Sequence, residues 1–268
     1  MARIIAIANQ KGGVGKTTTA INLGASLALA ERRTLIIDID PQGNASSGLG
    51  VEKGEGTPTV YDILVEQQPV ASCIQRAVHF PTLDVIPANR DLVGAEIELV
   101  TREGREGLLR SALGDVRREY DFILVDCPPS LGLLTLNTLT AADSVLIPIQ
   151  CEFYALEGLS QLLSTIRLVQ RSLNPDLEIE GVLLTMFDRR LNLSRQVADE
   201  AREYFGTSVF ESAIPRNVRL AEAPSFGQPI SMYDVLSAGA QSYLALAEEL
   251  LGRTAERDAT AAIGEGTV

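Results

Sequence analysis

Cysteine, lysine and histidine are scarce in this chain, and no apolar run is long enough to span a bilayer. A transmembrane helix needs about 20 consecutive apolar residues, so that class is excluded. The chain opens directly on a strand-like pattern, without an h-region or a small-residue cleavage site, which predicts a cytoplasmic protein. The three cysteines, Cys73, Cys127 and Cys151, form no C-x-x-C pair and no zinc spacing. In a reducing compartment they read as small buried hydrophobes. The single histidine, His79, precedes Phe80-Pro81 and reads as a surface loop residue rather than a base. An excess of positive charge is missing as well. With a formal net charge of −12 the chain cannot coat nucleic acid through bulk electrostatics, so any DNA contact must come from a local patch.

Only three of the 23 basic residues are lysine: Lys11, Lys16 and Lys53. Two of them stand in one stretch, Asn9-Gln10-Lys11-Gly12-Gly13-Val14-Gly15-Lys16-Thr17-Thr18. A compact ammonium on a flexible stem suits a crowded phosphate site better than a planar guanidinium. The stretch follows the apolar run Ile4–Ala8 and opens into a helical pattern from Thr17 to Ala30. A strand, a glycine-rich turn and a helix N-terminus make an anion cradle, because backbone N–H groups and the helix dipole converge on it. Lys16 is placed to reach the β- and γ-phosphates, and the Thr17 hydroxyl to ligate Mg²⁺. The usual G-x-x-x-x-G-K-[ST] pattern fails here, since its first glycine falls on Gln10. The pattern present is K-G-G-x-G-K-T-T, with Lys11 at the loop entrance.

The 268-residue chain as a whole is 46% hydrophobic and 22% charged, the balance of a globule with a sizeable core. Apolar runs predict strands at 34–40, 83–87, 120–126, 144–149 and 179–186, after the first at 4–8. Helical periodicity predicts helices near 59–66, 91–100, 104–119, 155–172, 193–205 and 238–251. Pro41–Gly48 reads as a turn-rich loop, and Tyr61, Tyr120 and Tyr154 as packing residues. Strands separated by helices predict an α/β fold with a doubly wound, mainly parallel sheet flanked by helices. There is no internal repeat and no linker, so residues 1–253 are expected to form one domain. The small, polar tail 254–268 is expected to be disordered.

Three carboxylates end buried strands: Asp38, Asp40 and Asp126. In a doubly wound sheet those ends face the ligand crevice. Ile123-Leu124-Val125-Asp126 has the form of a Walker B segment that delivers a carboxylate to Mg²⁺. Asp40 is a candidate to orient or deprotonate an attacking water, and otherwise a turn initiator before Pro41. Asp38 is a candidate for the Mg²⁺ shell or for a loop cap.

These motifs together resemble the ParA/MinD group of deviant Walker A ATPases. The resemblance rests on the 11–18 loop, Asp38-Ile39-Asp40-Pro41-Gln42-Gly43-Asn44 and Ile123-Leu124-Val125-Asp126-Cys127-Pro128-Pro129-Ser130. The runs 152–158 and Ile214–Ser225 are similar to the chromosomal ParA, or Soj, branch. It implies that two subunits sandwich two ATP molecules, with Lys11 reaching the partner's phosphates as a trans-acting finger. Gly12 would then lie at the dimer seam, and Lys11, Lys16 and Asp40 would serve catalysis. The 42–47 and 127–131 loops would sense the γ-phosphate. Adenine would lie against Met186, Asp188, Pro215 and Asn217, and Thr17, Asp38 and Asp126 would serve Mg²⁺.

The same resemblance implies ATP-gated, sequence-independent DNA binding through Arg189 and Arg219, with Arg190, Arg195 and Arg216 nearby. It further implies a centromere-bound partner of the ParB/Spo0J type, no membrane contact and residence on the nucleoid. Membrane-attached MinD proteins share the loop, but the last helix here is acidic rather than basic. Iron–sulfur carriers with this loop need paired cysteines, which are missing. A degenerate binding module is disfavoured because Lys11, Lys16, Thr17, Asp40 and Asp126 are all present.

Overall fold

Strand β1 (Arg3–Ile7) lies inside a six-stranded sheet whose strand pairings are all parallel. The other strands are β2 (Thr34–Asp38), β3 (Leu83–Ile86), β4 (Phe122–Asp126), β5 (Ser144–Gln150) and β6 (Glu178–Thr185). Their order is β3-β2-β4-β1-β5-β6. The computed structural model describes residues 1–51, 54, 56–152 and 157–265. Lys53, Tyr154, the 153–156 part of the 152–158 motif and the last three residues of the expected tail lie outside the described residues.

The chain winds from β1 through β2 to β3, returns to insert β4 between β2 and β1, then leaves on the other side through β5 and β6. That winding sets the C-terminal ends of β1, β2 and β4 side by side, where Asp126 is in register with Ile7 and with Asp38. Both sheet faces are covered. Ile4 and Ala6 enter one hydrophobic core and Ile5 and Ile7 the other, which is why the strands read as unbroken apolar runs.

The helices are α1 (Lys16–Leu29), α2 (Asn44–Gly48), α3 (Val60–Leu64), α4 (Val70–Cys73), α5 (Leu92–Glu98) and α6 (Leu108–Leu113). They continue with α7 (Leu133–Ala141), α8 (Glu157–Ser172), α9 (Asn192–Phe205), α10 (Val218–Glu222), α11 (Ile230–Tyr233) and α12 (Ala238–Glu265). Helix α7 is absent from the sequence pattern because it has little polar face to show: Leu134, Thr135 and all residues from Asn137 to Ala141 are buried. The expected 104–119 helix is shorter, a 3-10 turn at Arg105–Gly107 leading into α6. Asn44–Gly48 is helical rather than a plain turn.

The tail differs most. Helix α12 runs to Glu265, past Arg253, where the ordered chain was expected to stop. Two arginines hold the extension down. Arg253 lies over the Phe210 ring at 4.2 Å and donates to the Val209 carbonyl. Arg257 Nη1 donates at 2.7 Å to Glu180, a carboxylate buried in β6 that also binds Arg3 and Ser144. A polar composition therefore signals exposure here, and tertiary ion pairs supply the order.

Candidate functional site

The phosphate loop leaves β1 at Ala8 and is pinned from both sides. Asn9 donates Nδ2 to the Pro148 carbonyl at 2.7 Å, and its Oδ1 accepts the Lys11 amide. The Thr185 hydroxyl, at the end of β6, donates to the Val14 carbonyl at 2.9 Å. Gly13 and Gly15 adopt left-handed backbone, φ +74° and +89°, which residues with a Cβ rarely tolerate. Gly15 is followed directly by α1, whose N-terminus has no capping side chain and no acidic residue in its first turn. The first amides of a helix have no internal partner, so this end is suited to hold an anion.

Lys16 is buried and its Nζ donates to the Lys11 carbonyl at 3.2 Å, across the mouth of the loop. Burial lowers its pKa, and the charges of Asp126 and Asp40 act against that shift. Asp126 is fully buried with neither oxygen satisfied by a hydrogen bond of good geometry. Its carboxyl is pushed well above the ordinary range, first by burial and then by Asp38, while the nearby Thr17 hydroxyl draws it down. An orphaned buried carboxylate beside Thr17 fits a divalent cation, which would supply the charge and oxygen-coordinating demand that the protein leaves open.

Asp38 is employed differently. Its Oδ1 accepts the Asp40 amide, and its Oδ2 accepts both the amide and the hydroxyl of Ser46 at 2.8 and 2.7 Å. These bonds engage both of its oxygens and make it the anchor of the 40–48 loop. Burial raises its pKa and the Ser46 bonds oppose the rise. Asp40 is buried, and its Oδ1 accepts the Gln42 amide in an Asx turn. Cys127, next to Asp126, is buried with its thiol pushed up to about 12 by burial, which makes it a packing residue.

Gly12 is exposed, has ordinary backbone, and a Cβ built on it meets nothing within 4 Å. Among the described residues nothing requires glycine there. Lys11 beside it is half-exposed, and its ammonium has no partner among the described residues.

The segments expected around adenine do converge. Phe187 bridges to Pro215, its amide donating to the Ile214 carbonyl at 3.0 Å. Met186 takes left-handed backbone, φ 50°, at this junction. Asn217 spends its Oδ1 as the N-cap of α10, accepting the Arg219 amide, and Asp188 is held at about 2 by a two-pronged bond from Arg190.

The expected DNA arginines divide. Arg189, Arg190, Arg195 and Arg216 line one cleft of about 990 Å³ with Arg202, which the sequence reading passed over. Arg219 stands apart on α10, paired with Glu222 at 2.9 Å and with Asp234. Most of these charges are already matched: Arg190 by Asp188 and Arg216 by Glu152. Arg189 is exposed and makes no ion pair among the described residues. The anchoring bonds of Asn9, Ser46 and Thr185 carry no spacing signal and appear only in the folded chain.

Among the described residues no helix is long and apolar enough to cross a membrane. The AAA domain family matches residues 2–179. The chromosome partitioning protein ParA of Myxococcus xanthus is 62% identical over 94% of this chain and 89% of its own length. The sporulation initiation inhibitor protein Soj of Bacillus subtilis is 61% identical over 93% of this chain and 98% of its own. A solved structure of cobyrinic acid a,c-diamide synthase from Mycobacterium smegmatis, with bound ADP and magnesium, superimposes with a TM-score of 0.81 at 39% identity. It covers 94% of each chain. With the deviant phosphate loop, the orphaned carboxylate and the doubly wound sheet in place, the chain belongs to the ParA/Soj family of chromosome-partitioning ATPases.

Proposed function

We propose that this chain is a partitioning ATPase whose ATP-bound form is a sandwich dimer that holds DNA without sequence preference. The observation that carries the proposal is the half-built character of the loop. Nothing among the described residues requires Gly12 to be glycine, and the Lys11 ammonium beside it has no partner among them. Both features are met if a second copy closes on the loop and each Lys11 reaches the other's phosphates.

In the proposed reaction the helix α1 amides and Lys16 hold the β- and γ-phosphates. Mg²⁺, held by Thr17 and Asp126, would neutralise phosphate charge. Asp40 orients the water that attacks the γ-phosphorus as the bond to ADP breaks. Asp38 and Ser46 hold the Asp40 backbone in place. Hydrolysis opens the dimer and releases DNA. Turnover is slow alone, and a ParB-type partner at the centromere stimulates it. The protein then works in the cytoplasm on the nucleoid.

Dimerisation supplies the reason for gating. One copy offers a small arginine patch on an acidic chain, whereas two copies present two patches, the second at high effective concentration. The test is sedimentation with double-stranded DNA under ATP, ADP and no nucleotide. DNA retention only with ATP is expected; equal retention in all three sinks the proposal.

A further inference from the structure

His79 is exposed, yet it is no idle loop residue. Its Nε2 lies 2.9 Å from the Leu49 carbonyl and 2.8 Å from the Gly227 carbonyl. Carbonyl oxygens only accept, so Nε2 carries the proton and is shared between them. The residue sits in left-handed backbone, φ 63°, an uncommon conformation for a non-glycine residue. The two strands of chain it joins are pressed together: a Cβ on Gly227 would stand 2.8 Å from the Gly50 Cα, and one on Gly50 would stand 3.1 Å from the Gly227 oxygen. Both glycines have left-handed φ, +67° and +63°.

What lies at each end gives the contact its meaning. On one side, Leu49 is the C-cap of α2, the short helix anchored to Asp38 through Ser46 and close in sequence to Asp40 and Gln42. On the other, Gly227 follows Phe226, whose ring stacks on Tyr233 at 5.1 Å. The Arg219 guanidinium lies 6.0 Å from the centre of that same tyrosine ring. The Tyr233 hydroxyl donates to Glu222 Oε2, the carboxylate oxygen that also takes Arg219. A continuous set of contacts therefore runs from the phosphate-facing loop to one arginine of the DNA surface, and His79 is its polar link.

We propose that His79 is a positioning residue for DNA retention: it clamps the nucleotide loop at Leu49 to the Gly227 turn, so that the loop's response to ATP reaches Arg219. The proposal rests on the ATP-gated DNA binding above. It needs the α2 loop to take two arrangements, with and without ATP, which is the kind of bistable element through which distant sites bias one another.

The experiment compares full-length wild type, His79→Ala and His79→Gln. A glutamine amide offers two N–H donors to the same two carbonyls, so it serves as the conservative rescue. The readouts are affinity for a fluorescent ATP analogue, dimerisation with non-hydrolysable ATP, and DNA affinity with that nucleotide and with ADP. His79→Ala is expected to keep nucleotide affinity and dimerisation within about twofold while its ATP-to-ADP ratio of DNA affinities falls at least about fivefold, and His79→Gln to restore the ratio. An unchanged ratio in His79→Ala, or loss of nucleotide binding or dimerisation in it, overturns the clamp. Nucleotide-independent DNA binding by wild type would instead overturn the gating reading. Hydrogen exchange separates the two without DNA: ATP should alter protection at both Leu49–Val51 and 226–228 in wild type, and only at Leu49–Val51 in His79→Ala. Matched changes at both segments in His79→Ala would also overturn the clamp.

Discussion

The phosphate loop and the arginine surface both collect charge, and they differ in what surrounds it. At the loop Lys16, Asp38 and Asp126 are buried, and Asp126 has no hydrogen-bond partner of good geometry. On the surface Arg190, Arg216 and Arg219 are exposed, and each already faces a carboxylate of its own chain. A buried unsatisfied charge is costly and so defines a site that demands a particular ligand. An exposed, matched charge stakes little and gains little, so it makes a surface that binds weakly and can be controlled. The first region selects its ligand. Under the proposed function, the second has its affinity for DNA set by how many copies are brought together.

Breaking the loop should give the largest effect. Lys16→Gln removes one member of a buried charge set, and ATP affinity should fall by about 3 kcal/mol, roughly 100-fold, in a fluorescent-nucleotide titration. A change under about threefold would contradict the assignment of Lys16. Gly12→Val comes next. Monomer melting should stay within about 0.5 kcal/mol, because the site is exposed and open. The ATP-dependent dimer should weaken at least about tenfold by sedimentation velocity if a second chain packs there.

Asp126→Asn sharpens the contrast from the opposite direction. Its folded-state pKa is raised above the ordinary carboxylate value of 3.8. The unfolded chain therefore sheds this proton at lower pH than the folded chain does, so folded stability falls as pH rises above that value. Without Mg²⁺ the variant should be more stable near neutral pH, by on the order of 1–2 kcal/mol, and should lose the part of the pH dependence due to this group. Its Mg²⁺-dependent gain in ATP affinity should shrink. Thermal melts from acid to neutral pH, with and without Mg²⁺, read both effects.

The surface should give the smallest changes. Arg189→Ala should lower the slope of log affinity for DNA against log salt by about one, as expected for one lost phosphate contact. Glu222→Gln frees Arg219 from an exposed pair and should raise DNA affinity by no more than about fivefold. A hundredfold response at either position would mean that this surface is as tightly built as the loop.

Much of the fold was legible because it follows from local rules. The 11–18 loop, the apolar strands and the three strand-end carboxylates announce themselves by spacing. Helix α7 did not, since burial on nearly every side erases helical periodicity. Nor did the end of α12, where Arg257 reaches a carboxylate 77 residues away in sequence. The expected DNA arginines were visible as residue types in two short windows. Their pairing with Asp188, Glu152 and Glu222 was not.

By itself the sequence determined that this chain makes a phosphate loop, and where: glycines at Gly13 and Gly15 and lysines at Lys11 and Lys16 do this through backbone freedom and charge within a few residues. Only the tertiary structure decided what the surrounding polar groups do. Asp38 became an anchor because Ser46 folds back onto it, Asp126 became an orphan because the sheet buries it beside Asp38, and His79 became a clamp because Leu49 and Gly227 meet at its ring. Those roles depend on partners brought together from distant parts of the chain, and no spacing rule encodes them.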